Sequence, residues 1–376
     1  MMILLLTLFN FIINLYVKSY KFFLNKLKIM KNKDSIFVSI ASYRDLDCIN
    51  TVISCFKFAK HPENIFIGIC QQNKDTDKDF FDDYPIEYEP FIKNIRIIRI
   101  PHFEAKGPTY ARHLCSTLWN GEDYYLQLDS HIRFVKDWDQ LTINMIKRIQ
   151  HETSNEKIIL SYYSKTLDEY GKEHYSTTPI ITKIFVNDGG MISFNAFEVT
   201  QNKEELPTKT GFIGAGFVFG PSKFLSDVPF DPNLPYLFVG EEILLSARFY
   251  TNGYDIFSPN ENIVFHKYER KGEPKFWEDI RYNSNDATKK VKNILKLSND
   301  PIPDSLNINI DKYGLGKQRS LEEFYKFIKF DISTKTVINS DNNSKIQYNT
   351  NNSLKLIFLI SFILLLILLI ILIYKM

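Results

Sequence analysis

The sequence predicts an α/β fold, a mainly parallel sheet with helices on both faces, carrying an apolar segment at each end. Two observations predict the body and one the ends. Short apolar runs alternate with segments of helical spacing from Asp34 to Asp129, the pattern of βαβ units. The apolar runs end in polar clusters, where sheets of this kind place ligands. Residues 354–374, LKLIFLISFILLLILLIILIY, are almost wholly apolar apart from Lys355, and at about 1.5 Å per residue they reach roughly 30 Å, a bilayer core.

Residues 1–17 are apolar but interrupted by Asn10 and Asn14, and Lys18, Lys21, Lys26, Lys28, Lys31 and Lys33 follow. A signal anchor or membrane-associated segment fits this better than a cleaved leader, since no leading charge or small-residue cleavage site is present. The lysines favour a cytoplasmic body, attached to a membrane by one or two segments. Cys48, Cys55, Cys70 and Cys115 have no CxxC or zinc-like spacing and read as packed, reduced thiols, which agrees with that side.

DSIFVSIASYRD predicts a strand running into a loop, and CINTVISCFKFAK a helix with Ile49, Val52, Ile53 and Phe56 on one face. NIFIGICQQ and IRIIRIP are the next strands. PTYARHLCSTLW is helical, with Pro108 in its first turn. YYLQLD is a fourth strand, and QLTINMIKRIQ an amphipathic helix. A longer, loop-rich half follows from Lys157 to Lys290, and residues 34–290 are expected to form the catalytic domain. Residues 298–353 are rich in Asn, Ser, Lys and Asp and read as a polar extension and flexible stalk.

With 46 basic against 44 acidic residues there is no electrostatic footprint for nucleic acid. No GxGxxG or P-loop is present, which disfavours NAD and ATP sites of those kinds. The chemistry concentrates at the strand ends. Asp129 and His131 alternate along an extended segment, so both can face one cleft. An Asp oxygen with a His nitrogen suits Mn²⁺ or a similar divalent ion, and His266, ending the run IVFH, is the candidate third ligand. Each alone has an ordinary structural explanation, a polar strand cap or a packed histidine. An ion with open positions suits a nucleotide-sugar enzyme, neutralising a diphosphate leaving group. Lys106 and Arg112 are placed to meet phosphate or to brace the acidic site, and Ser42, Tyr43, Arg44 and Asp45 form a loop suited to a base and ribose. Glu241 and Glu242 follow Gly240 at a helix start, where the dipole favours acids; in a cleft they would bind acceptor hydroxyls or act as a base. Gly211, Gly214 and Gly216 permit either close approach to a sugar or tight turns.

Taken together, SIASYRD, AKGPTYAR, LQLDSHIRFVKDWD, GFIGAGFVFG, LFVGEEILLSARFYTNGYDIFSP and VFHKYERKGEPKFWED resemble, from Ser35 to Arg281, the GlcNAc-transferases that modify a hydroxyproline of Skp1. The resemblance implies a GT-A fold (a Rossmann-like mixed sheet), a UDP-GlcNAc donor and a retaining reaction. It maps a DSH metal motif onto Asp129, Ser130 and His131, a later metal-binding histidine onto His266, and an acidic GEE segment onto Gly240, Glu241 and Glu242. The expected partners are a UDP-sugar, a protein acceptor with a hydroxyl, Skp1-like or other, and a membrane through the C-terminal helix. The apolar ends depart from the soluble relatives and leave the acceptor open. Transfer from UDP-GalNAc or UDP-galactose, or a non-catalytic sugar-binding scaffold, are the alternatives.

Overall fold

The computed structural model describes residues 34–172, 177–200, 202–281 and 283–338. The apolar segments 1–17 and 354–374 and the stalk beyond residue 338 lie outside them. Among the described residues no helix is long and apolar enough to cross a membrane.

Among the described residues fifteen strands are formed. In chain order they are β1 Ile36–Tyr43, β2 Ile65–Asn73, β3 Ile95–Pro101, β4 Tyr124–Asp129, β5 Ile132–Phe134, β6 Ile158–Ser161, β7 Lys165–Thr166, β8 Thr177–Val186, β9 Ile192–Thr200, β10 Thr208–Thr210, β11 Phe217–Pro221, β12 Asp255–Ser258, β13 Val264–His266, β14 Phe330–Asp331 and β15 Thr336–Val337. The longer helices are α1 Cys48–Phe58, α2 Pro108–Ser116, α3 Trp138–Thr153, α4 Glu241–Thr251, α5 Asn285–Ile294 and α6 Leu321–Phe327.

The central sheet runs β10-β12-β6-β11-β4-β1-β2-β3. Its β4-β1-β2-β3 half is parallel, as the strand–helix alternation predicts. Beyond β4 the sheet is mixed: β11 is antiparallel to both β4 and β6, β12 is parallel to β6, and β10 is antiparallel to β12. The central strands are buried on both faces, hence the near-continuous Ile, Val, Leu and Phe of β1, β2 and β4. IRIIRIP proves to be the edge strand, half exposed rather than buried.

A second sheet, β5-β13-β7, stands at the carboxyl end of the first. The pairing of His266 with Ile132 brings the third candidate ligand beside the first two. Two hydroxyls of α1 hold this small sheet to the core: the N–H of Ile132 donates to Thr51 Oγ1 at 2.8 Å and that of Phe134 to Ser54 Oγ at 2.9 Å.

Two expectations are corrected here. The stretch from Lys157 to Lys290 is not loop-rich, for it supplies four strands of the central sheet, β6, β10, β11 and β12, and the long hairpin β8–β9. Nor do residues 298–338 form a polar extension outside the folded body. Leu321, Phe324, Tyr325, Ile328 and Phe330 are buried in one cluster with Leu244 and Ala247 of α4 and Val291 of α5. The segment hides its apolar residues at helical spacing among Lys, Glu and Asn, so composition alone misplaces it. Ser320 and Glu323 cap α6 reciprocally, through Ser320 Oγ and the Glu323 carboxylate. Phe324→Ala should therefore cost about 3–5 kcal/mol of stability, read from the shift of the chemical denaturation curve, whereas truncation of a free stalk residue would cost nothing measurable.

Candidate functional site

A cleft of about 530 Å³ opens at the carboxyl ends of β1 and β4. Its position follows from topology: β4 has parallel β1 on one side and antiparallel β11 on the other, so the connections diverge there and leave a crevice. Asp129 is the last residue of β4. The chain then turns through Ser130, whose carbonyl accepts from Thr51 Oγ1 at 2.8 Å, and presents His131 to the same cleft. His266 arrives on β13, whose entry is fixed by Tyr162: its hydroxyl accepts from the N–H groups of Ile263 and Val264, each at 3.1 Å.

Asp129, His131 and His266 thus offer one carboxylate oxygen and two imidazole nitrogens, all within 4.8 Å of one another. His266 Nε2 lies 3.2 Å from Asp129 Oδ2, and the two imidazole rings are 4.7 Å apart. Asp45 orients the set. Its Oδ2 is 2.7 Å from His131 Nδ1 and accepts from Ser130 Oγ at 2.6 Å. A carboxylate can only accept, so Nδ1 carries the proton and the lone pair of His131 falls on Nε2, the arrangement of a metal-binding histidine backed by a carboxylate. Gly216 keeps the space open, since a Cβ there would lie 2.9 Å from Asp129 Oδ2. Two nitrogens and a carboxylate oxygen suit Mn²⁺ or a comparable divalent ion.

The charges are arranged accordingly. Burial alone would push the Asp129 carboxyl up, but His266 and Arg112 facing it hold it well below the usual range. For Asp45 likewise, burial is outweighed by His131, Arg270 and Ser130, and the group stays ionised. Arg270 Nη2 stands 3.5 Å from Asp45 Oδ2. Replacing Asp45 by Asn should weaken binding of a divalent ion about 10–100-fold, measured by calorimetric titration, because His131 exchanges a charged acceptor for a neutral amide that holds its Nδ1 proton less strongly.

The remaining candidate residues fall into two groups. Tyr43, Arg112, Glu241 and Glu242 line the cleft with the candidate ligands Asp129, His131 and His266. Arg112 is buried and donates both to Glu241 and, at 3.0 Å, to Asp129 Oδ1. Its guanidinium thus lies between the two carboxylates. Glu241 is correspondingly its buried counter-charge, not a carboxylate open to an acceptor. Burial raises the Glu241 carboxyl, with Arg112 pulling it down. Glu242 accepts from the Tyr163 hydroxyl and, at 2.9 Å, from the N–H of Ala215. Burial raises this carboxyl too, against those two donors.

Ser42, Arg44 and Asp45 do not line the cleft; they border a shallow depression beside it. Ser42 is buried, Asp45 is committed to His131, and Arg44 pairs with Asp77 at 2.7 Å and Asp279 at 2.8 Å. Lys106 borders neither and places its ammonium over the Tyr110 ring, 5.0 Å from its centroid. The expectation that these four meet a donor draws no support from that geometry. Tyr163, Arg270 and Tyr268 are site residues that sequence reasoning did not single out. Tyr268 packs its ring 4.1 Å from that of His266. Tyr163 had the signal of a polar strand end after IILS, whereas Tyr268 and Arg270 had only their nearness to His266.

No curated protein sequence matches the chain. Among solved structures, GalNAc-T7 with UDP, GalNAc and Mn²⁺ superposes with a TM-score of 0.55 at 13% identity, over 81% of this chain and 59% of that one. TarS of S. aureus in complex with UDP-GlcNAc gives 0.44 at 13% identity, over 72% of this chain and 68% of that one. The first likeness shows a GT-A glycosyltransferase fold. The sequence model of the family described as Glycosyltransferase (GlcNAc) matches residues 35–85 and 86–334, both halves of the body and the packed C-terminal segment alike. With the cleft, the fold and that match agreeing, the chain belongs to the GlcNAc glycosyltransferase family.

Proposed function

We propose that this chain transfers N-acetylglucosamine from UDP-GlcNAc to a protein hydroxyl, hydroxyproline as in the Skp1-modifying enzymes it resembles, with retention of configuration. The observation that carries the reading is the Asp129–His131–His266 set at the end of the central strand, inside a cleft of substrate size. The GalNAc-T7 structure, solved with UDP, GalNAc and Mn²⁺, supports Mn²⁺ and a UDP-sugar by analogy of fold. Asp129, His131 and His266 would hold the ion. Bound there, it would neutralise the diphosphate as UDP departs.

The chain's own residues do the rest. Asp45 fixes the His131 tautomer, and Arg112 keeps Asp129 ionised and turned toward the cleft. The acceptor oxygen bonds to the anomeric carbon on the face from which the bond to UDP breaks. The bonding pair leaves with UDP, and the hydroxyl proton passes to a phosphate oxygen. Attack from one face is favoured because the carboxylates lining the cleft are engaged: Asp129 and Glu241 by Arg112, and Glu242 by Tyr163 and Ala215. None is placed as a free nucleophile.

The test is turnover by the full chain of UDP-GlcNAc, UDP-GalNAc and UDP-galactose, with Mn²⁺ or with chelator. UDP release should be metal-dependent and fastest with UDP-GlcNAc, and NMR of the product should show the α anomer. Preference for another donor would reassign the sugar, and a β anomer would refute retention. We further propose that the body lies on the cytoplasmic side of a membrane, anchored by residues 354–374. The four buried, unpaired cysteines support a reducing compartment. Protease should then cleave the body in sealed vesicles without detergent, whereas protection would put it in the lumen.

A further inference from the structure

The two histidines of the candidate ion site are held in different ways. His131 is oriented through its far nitrogen, with Nδ1 bonded to Asp45. His266 turns Nε2 toward Asp129 and has no such backing. Its Nδ1 is shut off from solvent and meets no hydrogen-bond partner among the described residues. A histidine that binds an ion through one nitrogen ordinarily donates its other N–H to a carboxylate or carbonyl, and that bond sets the ring. No protein group does so for His266, which leaves the task to packing.

Tyr268 supplies that packing. Its ring centroid lies 4.1 Å from that of His266, with the two planes 54° apart. The other ring neighbour is His131, at 4.7 Å. Tyr268 is itself pinned at both ends. Its hydroxyl donates to the Ser164 carbonyl at 2.7 Å, in the link between β6 and β7. The backbone beside it is fixed by the N–H of Lys267, which donates to the His131 carbonyl at 3.1 Å. Yet Tyr268 is 54% exposed and lines the cleft. Pinning a side chain that buries so little area costs rotamer freedom with small hydrophobic gain, so its fixed place is not explained by the core. Tyr162 holds the chain just before His266, through the N–H groups of Ile263 and Val264, and Tyr268 holds it just after.

We propose that Tyr268 is a positioning residue whose ring keeps the His266 imidazole turned with Nε2 toward Asp129, the task that Asp45 performs for His131. This rests on the metal-dependent transferase reading above and adds to it the device that orients the third candidate ligand.

The test uses the full chain with UDP, titrated with Mn²⁺ and followed by the electron paramagnetic resonance signal of the free ion. Tyr268→Leu, which removes the ring, should raise the Mn²⁺ Kd about tenfold or more. Tyr268→Phe keeps the ring and loses only the tether, and should raise it about threefold at most. The chemical denaturation midpoint should move little in either variant, because the side chain is more than half exposed. A second readout needs no ion. With chelator present and histidine isotopically labelled, the His266 ring signal is assigned among the seven histidines by its loss in His266→Ala. It should broaden in Tyr268→Leu, as the freed ring samples more than one orientation, and stay sharp in Tyr268→Phe. An unchanged Mn²⁺ Kd in Tyr268→Leu overturns the proposal. So does an equal loss in the Phe and Leu variants, or a loss that follows a lowered midpoint. A wild-type chain that binds no Mn²⁺ while the His266 signal still depends on the Tyr268 ring would instead fail the metal reading and leave the positioning role standing.

Discussion

Asp129→Ala should reduce UDP release from UDP-GlcNAc by about a thousandfold or more. A divalent ion that stabilises the leaving diphosphate contributes several kcal/mol of transition-state stabilisation, and each 1.4 kcal/mol is about tenfold in rate. Asp129 is the carboxylate of the set, within reach of both histidines and of Arg112. Its loss removes a ligand and leaves Arg112 turned toward the place the ion should occupy, so residual affinity is opposed by a cation. The fold should survive, because Asp129 is a third exposed and ends its strand. The check is a UDP-release assay beside a circular dichroism spectrum. A rate within tenfold of the wild type, with the spectrum unchanged, would contradict the placement of the ion.

Arg112→Met should be costly for a different reason, with an expected loss of about 3–5 kcal/mol in stability. Arg112 and Glu241 are about 5% exposed, and they pair directly. Removing the guanidinium strands the Glu241 carboxylate in the core, where burial already raises its pKa. The double variant Arg112→Met with Glu241→Met should recover much of that loss, since no buried charge is then left unpaired. Chemical denaturation of the four proteins closes the cycle. Additive losses would show that the pair is not coupled, and would return Glu241 to the role of a group open to the acceptor.

The parallel half of the sheet was legible because its local signals agree with its packing. β1, β2 and β4 are apolar runs of strand length, with helices between them that show one apolar face. The antiparallel half was not. β11 is preceded by glycines and β12 is four residues long, so neither run is long enough to separate a strand from a loop. The C-terminal segment was misread because Leu321, Phe324, Tyr325 and Ile328 are diluted by charged neighbours, although their spacing is helical.

The same division holds at the site. Asp129, His131 and His266 stand at strand ends, and strand ends are visible in a sequence. Roles decided by long-range pairing were not visible. That Asp45 serves His131, 86 residues away, depends on β1 and β4 being neighbours. That Glu241 faces Arg112, 129 residues away, depends on how α4 packs against α2.

The most direct test of the account is the binding of Mn²⁺ itself, followed by the electron paramagnetic resonance signal of the free ion as it is titrated into the full chain. The account predicts one ion per chain, bound more tightly when UDP is present, and loss of that binding in Asp129→Ala and in His266→Ala. A chain that binds no Mn²⁺ with UDP present, or binds it equally well in both variants, would contradict it.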